Sequence, residues 1–474
     1  MLEFGSIIGD RQHANGAWIE VRNPYTLELV GRVAQADREL THAVIERTRR
    51  TKMSLARHER QRILNEMAAR LERNAASISR LITDESGLSL KDTQYEIARA
   101  SDVLRFAAIQ TLLDDSQVFP CDVSKSGRAR RIYTMRQPLS LIAAITPFNH
   151  PLNQVVHKIA PAIATNNTMI LKPSPQTPLA AYYITQLGID SGLPPDMVNV
   201  ICGPTAEVGE TLVTSPDVEM VTFTGSTAAG RRIASIAGYK RLVLELGGSS
   251  AMLVLADADV SEATDIAMAG VFKNSGQRCT AIRRILVDES IADCFAKLLA
   301  EKTCQLKYGD PYNPATDVGT VISEAAAVEM EQRVEASLRQ GAEVLAGHRR
   351  MGAVYSPTVL DHVRNDHPVV ACETFGPIAS ILRFETLDEA IRIANDTPFG
   401  LSGAVVSNHW PSIQRVITEV ETGTVNVNEA PSYRLEWSPF GGVRASGLGY
   451  KEGVAEAMKS MTYVKTYSLP WDVP

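Results

Sequence analysis

A cysteine inside a glycine-bearing loop, Gly276-Gln277-Arg278-Cys279-Thr280, follows an acid that precedes a glycine pair, Glu245-Leu246-Gly247-Gly248. A thiolate is a strong nucleophile toward carbon, and a carboxylate near it can take a proton from water. The pair therefore suits chemistry with a covalent thioester stage. Arg278, directly ahead of the thiol, points to negative charge on the substrate. A second group of residues suits a phosphate-bearing ligand. Val221-Thr222-Phe223-Thr224-Gly225-Ser226-Thr227-Ala228-Ala229-Gly230 runs from an apolar strand into a helix. Gly225 permits a tight turn, Ser226 or Thr227 can cap the helix, and its free N–H groups attract a pyrophosphate. The three-glycine dinucleotide fingerprint is absent, and the same stretch also serves as a plain strand–turn–helix. In Lys172-Pro173-Ser174-Pro175, the lysine either donates to a cofactor ribose or is solvated ahead of a proline turn. In Glu373-Thr374-Phe375-Gly376-Pro377, the acid can hold a nicotinamide ribose with the ring beside it; the alternative is a turn with one buried aromatic.

These groups need strand ends and helix starts to hold them. Residues 36–115 carry helical periodicity, as in Ile63, Leu64, Met67, Ala68 and Leu71. Residues 128–137 alternate and are rich in β-formers, which predicts a polar-faced strand and an arm toward another subunit. From residue 139 short apolar strands alternate with helices: strands at Leu139–Ile145, Thr168–Leu171, Val198–Ile201, Met220–Phe223, Leu242–Leu244 and Ala251–Leu255, helices near 152–164 and 178–190. This alternation predicts a doubly wound parallel α/β sheet with its ligands at the strand carboxyl ends, where Asn149, Lys172, Gly225 and Glu245 fall. Residues 257–275 read as a helix capped by Gly276. A second α/β unit is expected over 281–425, and a terminal strand over Met461–Tyr467 ahead of a proline-bearing tail.

The 474 residues exceed what one core usually organises, so two or three units are expected. Hydrophobic content of 45%, charged content of 22% and a net charge of −6 fit a soluble enzyme and argue against nucleic acid as the main partner. Neither a signal peptide nor a bilayer-spanning run of roughly 18–20 apolar residues is visible, so no membrane partner is expected. The six cysteines form no Cys-x-x-Cys pair, so neither zinc site nor disulfide framework is suggested. A reducing cytoplasm is the simple reading.

Taken together, the motifs resemble the aldehyde dehydrogenase superfamily. The resemblance covers nearly the whole chain and rests on Thr146-Pro147-Phe148-Asn149, Lys172-Pro173-Ser174, Phe223-Thr224-Gly225-Ser226-Thr227, Glu245-Leu246-Gly247-Gly248, Gly276-Gln277-Arg278-Cys279, Glu373-Thr374-Phe375-Gly376-Pro377 and Pro439-Phe440-Gly441-Gly442, in the family's order. It implies a Rossmann-like cofactor domain (1–117 and 138–246), an α/β catalytic domain (247–433), a β oligomerisation flap (118–137 and 460–474) and a return segment (434–459). It also implies roles. Cys279 attacks the aldehyde carbon, Asn149 and the Cys279 backbone N–H stabilise the oxyanion, and Glu245 activates water for hydrolysis of the thioester. Thr146, Pro147, Phe148, Lys172, Ser174, Gly225, Ser226, Leu246, Glu373 and Phe375 surround NAD. Relatives that transfer the acyl group to coenzyme A typically lack the acid at Glu245, so a free carboxylate product is implied. Pro175 stands where many NAD-preferring relatives carry a glutamate, so NADP is also admitted, and Cys372 stands where a glutamate is common. A homodimer or homotetramer is implied.

Three residues direct the substrate expectation. Arg278 adjoins the nucleophile, His150 follows Asn149, and Arg99 shares a helical stripe with Tyr95, Asp102 and Phe106 on the helix Lys91–Leu113. An arginine fork and a partly charged imidazole suit a phosphonate or phosphate. The bland alternatives are Arg99 paired with Glu96 or Asp102, and His150 as a neutral pocket wall. The combination resembles phosphonoacetaldehyde dehydrogenases, in which matching residues hold the phosphonate. Lactaldehyde, glyceraldehyde 3-phosphate and succinate semialdehyde are the runners-up. A non-catalytic member of the same fold is the rival from another class.

Overall fold

A computed structural model describes residues 1–14 and 16–471; the last three residues of the expected flap and tail, 472–474, lie outside it. Two seven-stranded sheets dominate. In the first, the order is Arg241–Glu245, Met220–Thr224, Leu141–Ile145, Thr168–Lys172, Val198–Val200, Ser6–Ile8 and Arg11–His13. The first five are mutually parallel, and the last two add antiparallel at the edge. Their near-continuous apolar runs follow from burial on both faces. Leu141 and Ala143 face one core cluster while Ile142 and Ala144 face another. The chain order reverses between Leu141–Ile145 and Met220–Thr224, which opens a crevice at their carboxyl ends.

The second sheet runs Glu343–Ala346, Thr358–Asp361, Ile378–Phe384, Ile282–Asp288, Ser250–Val254, Ser402–Val406 and Thr424–Val427. It is parallel except for the first strand. It too lies between two clusters, with Leu253 on one side and Met252 on the other. A third sheet stands apart. Thr462–Pro470 pairs antiparallel along the whole of Arg130–Pro138, whose other edge takes Val118–Pro120.

The expected helices appear as Arg38–Arg50, Arg57–Arg73, Ala75–Ser86 and Leu90–Leu112. Their ends are chemically marked: Asp37 and Ser89 accept from backbone N–H groups at two starts, and Gly87 closes Ala75–Ser86 in the left-handed region (φ 72°). Two features depart from the sequence reading. The short strands Leu2–Phe4, Ser6–Ile8, Arg11–His13, Trp18–Arg22 and Leu29–Ala34 had no counterpart in it. The helix expected over 257–275 is Val260–Phe272; Asn274, Ser275 and Gly276 then turn left-handed in succession (φ 60°, 52° and 68°). No helix among the described residues is long and apolar enough to cross a membrane.

Candidate active site

The left-handed run presents Cys279. It throws the backbone off the helix axis and directs Gln277-Arg278-Cys279 toward the crevice of the first sheet. Asn274 holds the turn from within: its Nδ2 donates to the carbonyls of Asn149 (2.9 Å) and Gln277 (3.3 Å). Asn149 Nδ2 donates to the same Gln277 carbonyl (2.8 Å), so the two asparagines knit the loop after Leu141–Ile145 to the cysteine loop. The N-terminal end of helix Asn153–Ala164 is fixed by Glu96, whose Oε1 accepts from the N–H groups of Leu152 (2.9 Å) and Asn153 (2.8 Å). Asn274 and Glu96 were absent from the expected site. Glu96 carried a signal, since it lies on the buried stripe of its helix with Thr93, Ile97 and Ala100.

A cleft of about 420 Å³ is lined by Thr146, Pro147, Phe148, Asn149, Lys172, Ser174, Gly225, Ser226, Glu245, Leu246, Cys279, Glu373 and Phe375. Every residue expected at the catalytic and cofactor positions is thus in one place. Lys172 and Glu245 end their strands. Ser226 caps helix Thr227–Ile236, its Oγ accepting from Ala229 N–H. A Cβ on Gly225 would meet the Phe223 ring at 2.4 Å, and one on Gly230 would meet Leu246 at 2.3 Å, so both glycines mark close approach. Phe148 and Phe375 meet edge-on, centroids 5.9 Å apart. Glu373 accepts from Gly248 N–H at 3.1 Å. Polar atoms are left over along this cleft: Thr146 Oγ1, Thr224 Oγ1 and Gln154 Oε1 are buried without partners. Unsatisfied buried groups are costly, and a polar ligand in the cleft would satisfy them. Among the described residues no cluster of His, Cys, Asp and Glu could hold a metal ion.

Burial favours the protonated forms of Cys279 and Glu245. Cys279 opens on the cavity but is otherwise enclosed. Burial pushes its thiol up to about 11; Arg434 opposes the shift, and Glu245 and Glu373 add to it. Arg434, not Arg278, is the cation that most favours the thiolate. Both Glu245 oxygens are buried and unpartnered. Burial, and then the Glu452 carboxylate, raise Glu245 well above the ordinary carboxylate range, against Lys158, Arg434 and Lys451. Lys172 is lowered by its burial.

On the far side of Cys279 lies a smaller pocket of about 190 Å³, lined by Asp92, Tyr95, Arg99, His150, Lys273, Arg278, Tyr433, Arg434 and Phe440 among others. Arg99, His150 and Arg278 therefore share a chamber with the thiol, though both arginines are already engaged. Arg99 pairs with Glu436, a partner from the distant segment 434–459, and with neither Glu96 nor Asp102. Burial pushes the Glu436 carboxyl up, but Arg434, His157 and Arg99 outweigh it and hold it well below the usual range. Arg278 donates from Nη2 to the Ala269 and Gly270 carbonyls, both at 2.8 Å, while its Nε is buried and unpartnered. The partly charged imidazole is corrected: burial lowers His150, so it is neutral near pH 7, with Nδ1 3.8 Å from Glu96 and unpartnered. Arg434 lies with its guanidinium carbon 4.0 Å from the Phe440 ring centroid.

The sequence profile of the Aldehyde dehydrogenase family matches residues 11–467. Aspartate-semialdehyde dehydrogenase 1 of Pseudomonas canavaninivorans is 37% identical over 454 residues, 95% of this chain and 96% of that protein. The 3-sulfolactaldehyde dehydrogenase of Priestia aryabhattai is 34% identical over 457 residues, covering 95% and 96%. Among solved structures, the glyceraldehyde-3-phosphate dehydrogenase GapN of Methanocaldococcus jannaschii DSM 2661, complexed with NADP, superposes with a TM-score of 0.92 at 33% identity, covering 96% of this chain and 100% of that one.

Proposed function

Because the chain belongs to the aldehyde dehydrogenase family and is an NAD(P)-dependent enzyme of that class, we propose that it oxidises a short aldehyde with an anionic end, phosphonoacetaldehyde first, to the free carboxylate. The observation that carries the reading is the 190 Å³ pocket in which Arg99, His150, Arg278 and Arg434 surround the chamber beside Cys279. So small a chamber admits only a few heavy atoms beyond the aldehyde carbon. The three relatives above are named for aldehydes that carry a carboxylate, a sulfonate and a phosphate, which is consistent with an anion at this end, while others at 33–35% identity are named for uncharged lactaldehyde. Arg278 Nε, His150 Nδ1 and Arg434 Nη1 are buried without partners in the wall of this chamber.

The residues fit a dinucleotide. Ser226 and the start of helix Thr227–Ile236 would take the pyrophosphate, Lys172 and Ser174 the adenosine ribose, and Glu373 the nicotinamide ribose, with Thr146, Pro147, Phe148, Gly225, Leu246 and Phe375 around it. The nicotinamide, when bound, supplies the hydride acceptor that turns a cysteine adduct into a thioester. Cys279 forms that adduct with the aldehyde carbon. The second Asn149 amide proton and the Cys279 N–H stabilise the oxyanion. Glu245, once deprotonated, takes the proton of the water that hydrolyses the thioester. NAD is the expected acceptor; Pro175 places no carboxylate against a 2′-phosphate, so NADP is tolerated. Residues 1–117 with 138–246 form the cofactor domain in this reading, 247–433 the catalytic domain, 434–459 the return segment, and 118–137 with 460–474 the flap of a homo-oligomer.

The test is a panel of phosphonoacetaldehyde, sulfoacetaldehyde, glyceraldehyde 3-phosphate, succinate semialdehyde, lactaldehyde and uncharged propionaldehyde, each with NAD and with NADP. Absorbance of the reduced nicotinamide is followed. The highest kcat/KM is expected for phosphonoacetaldehyde with NAD. Equal kcat/KM for propionaldehyde would sink the anionic reading, and no turnover of any aldehyde by folded protein would favour a non-catalytic role.

A further inference from the structure

The strand after the cysteine loop carries an arginine that the chemistry above does not use. Arg283 is the second residue of Ile282–Asp288 and is 3% exposed. Its Nη2 donates to the carbonyls of Gly276 (2.7 Å) and Arg278 (3.1 Å), and its Nη1 to that of Gly376 (2.9 Å). Its guanidinium carbon lies 5.5 Å from the Phe375 ring centroid. Burial lowers it to about 10, with Glu373 opposing, so it stays charged at neutral pH. A buried charge spent on neutral carbonyls requires that all of them be held together; the planar fork does this where an ammonium would reach fewer.

The carbonyls belong to two loops. Gly276 and Arg278 flank the approach to Cys279, and Gly376 follows Phe375 in the loop that carries Glu373. The loops touch at this place: a Cβ on Gly276 would stand 2.1 Å from the Gly376 oxygen. The Arg278 carbonyl also shares one planar peptide unit with the Cys279 N–H. Holding the oxygen fixes the direction of the N–H, and a charged donor on the oxygen polarises the amide into a stronger donor. Ala281 N–H shares that oxygen at 3.1 Å, so the turn has a second tether but a neutral one.

We propose that Arg283 is a positioning residue: through the Arg278 carbonyl it aims and strengthens the Cys279 N–H, and through Gly376 it sets the nucleophile loop against the loop of Glu373 and Phe375. The inference rests on the thioester reading above. It is tested on the full-length protein with Arg283→Met, Arg283→Lys and, as a control, Cys279→Ala, by steady-state and rapid-mixing kinetics with NAD and the best aldehyde of the panel. For Arg283→Met, kcat and the rate of the first turnover should fall by about 10- to 100-fold, less than or comparable to the loss of an oxyanion donor. Both KM values should stay within about threefold, the signature of an interaction made in the transition state. Arg283→Lys, which keeps the charge but not the fork, should recover part of the loss. A wild-type first-turnover rate, or a loss confined to KM for NAD, would overturn the proposal and leave Arg283 a loop staple. Should the methionine variant not fold, the lysine variant decides: reduced kcat at unchanged KM supports the proposal, and wild-type kcat overturns it. Turnover by Cys279→Ala would instead defeat the thioester reading itself, whatever the Arg283 variants do.

Discussion

Burial favours the protonated forms of Cys279 and Glu245, and each therefore has a predictable pH response. With its thiol near 11, Cys279 is almost wholly protonated at neutral pH. Its alkylation by iodoacetamide should accelerate about tenfold per unit between about pH 7 and pH 10, because only the thiolate reacts. NAD should raise the rate at fixed pH, since a cationic ring beside the sulfur favours the thiolate. Mass spectrometry of the Cys279 peptide reads both effects, and a rate flat across that range would contradict a buried thiol. Glu245 is raised by burial and then by Glu452, which is paired with the buried Lys158. Glu452→Gln removes the raising charge and frees the lysine's, and both changes lower Glu245. The acid limb of kcat against pH should therefore move to lower pH, and movement to higher pH would exclude Glu245 as the base behind that limb. At this scale the motifs picked out Cys279, Glu245 and Asn149 from their types and order, and the structure brings the three into one cleft. The motifs gave no sign of the burial that dominates both shifts or of Arg99's partner, because those depend on the fold and on residues hundreds of positions away.

The element that matters most is the end of helix Val260–Phe272. Its apolar periodicity gives no reason to stop before Gly276, and the sequence reading accordingly ran the helix too far. The structure stops it because Asn274 tolerates the left-handed region and is captured there by the Asn149 and Gln277 carbonyls. Tertiary hydrogen bonds decide this terminus, and they cannot be seen from the helix itself. The alternating strands and helices of both large sheets were legible, since apolar runs bounded by turns are a strong signal. The three-residue N-terminal strands were not, because alternation needs more length to register. The glycine after the left-handed run gives a sharp test. Gly276 has φ 68° and no room for a Cβ, whereas Gly238 has the same φ with nothing within 4 Å. Gly276→Ala should cost about 1–3 kcal/mol in denaturant unfolding and more than about tenfold in kcat. Gly238→Ala should cost about 1 kcal/mol with kcat unchanged. Equal kcat in the two variants would show that close contact at Gly276 does not hold the cysteine loop.

At the scale of the whole molecule, the small third sheet stands apart from the two layered sheets. Thr462–Pro470 and Arg130–Pro138 pair over their full length, yet almost none of their residues is buried in this chain. One face carries Met135, Tyr463, Tyr467 and Leu469, all exposed, interleaved with Arg131, Gln137 and Lys465, and Tyr133 stacks on Tyr467 at 5.3 Å between centroids. An exposed apolar strand at a sheet edge is a liability in a monomer and an adhesive surface in an assembly. The sequence reading drew the same arm from alternation and β-formers, and the resemblance implied what covers it: a second copy of the chain. Light scattering should therefore give a homodimer or homotetramer mass for the wild type. Tyr467→Asp with Leu469→Asp places two charges on the apolar face and should shift the mass toward the monomer at micromolar concentration. Because the cofactor cleft is built from one chain's own strand ends, NAD binding should survive that dissociation, as read by fluorescence titration. A monomeric wild type would leave the exposed face without its occupant, and an undiminished mass in the double variant would move the subunit contact to another surface.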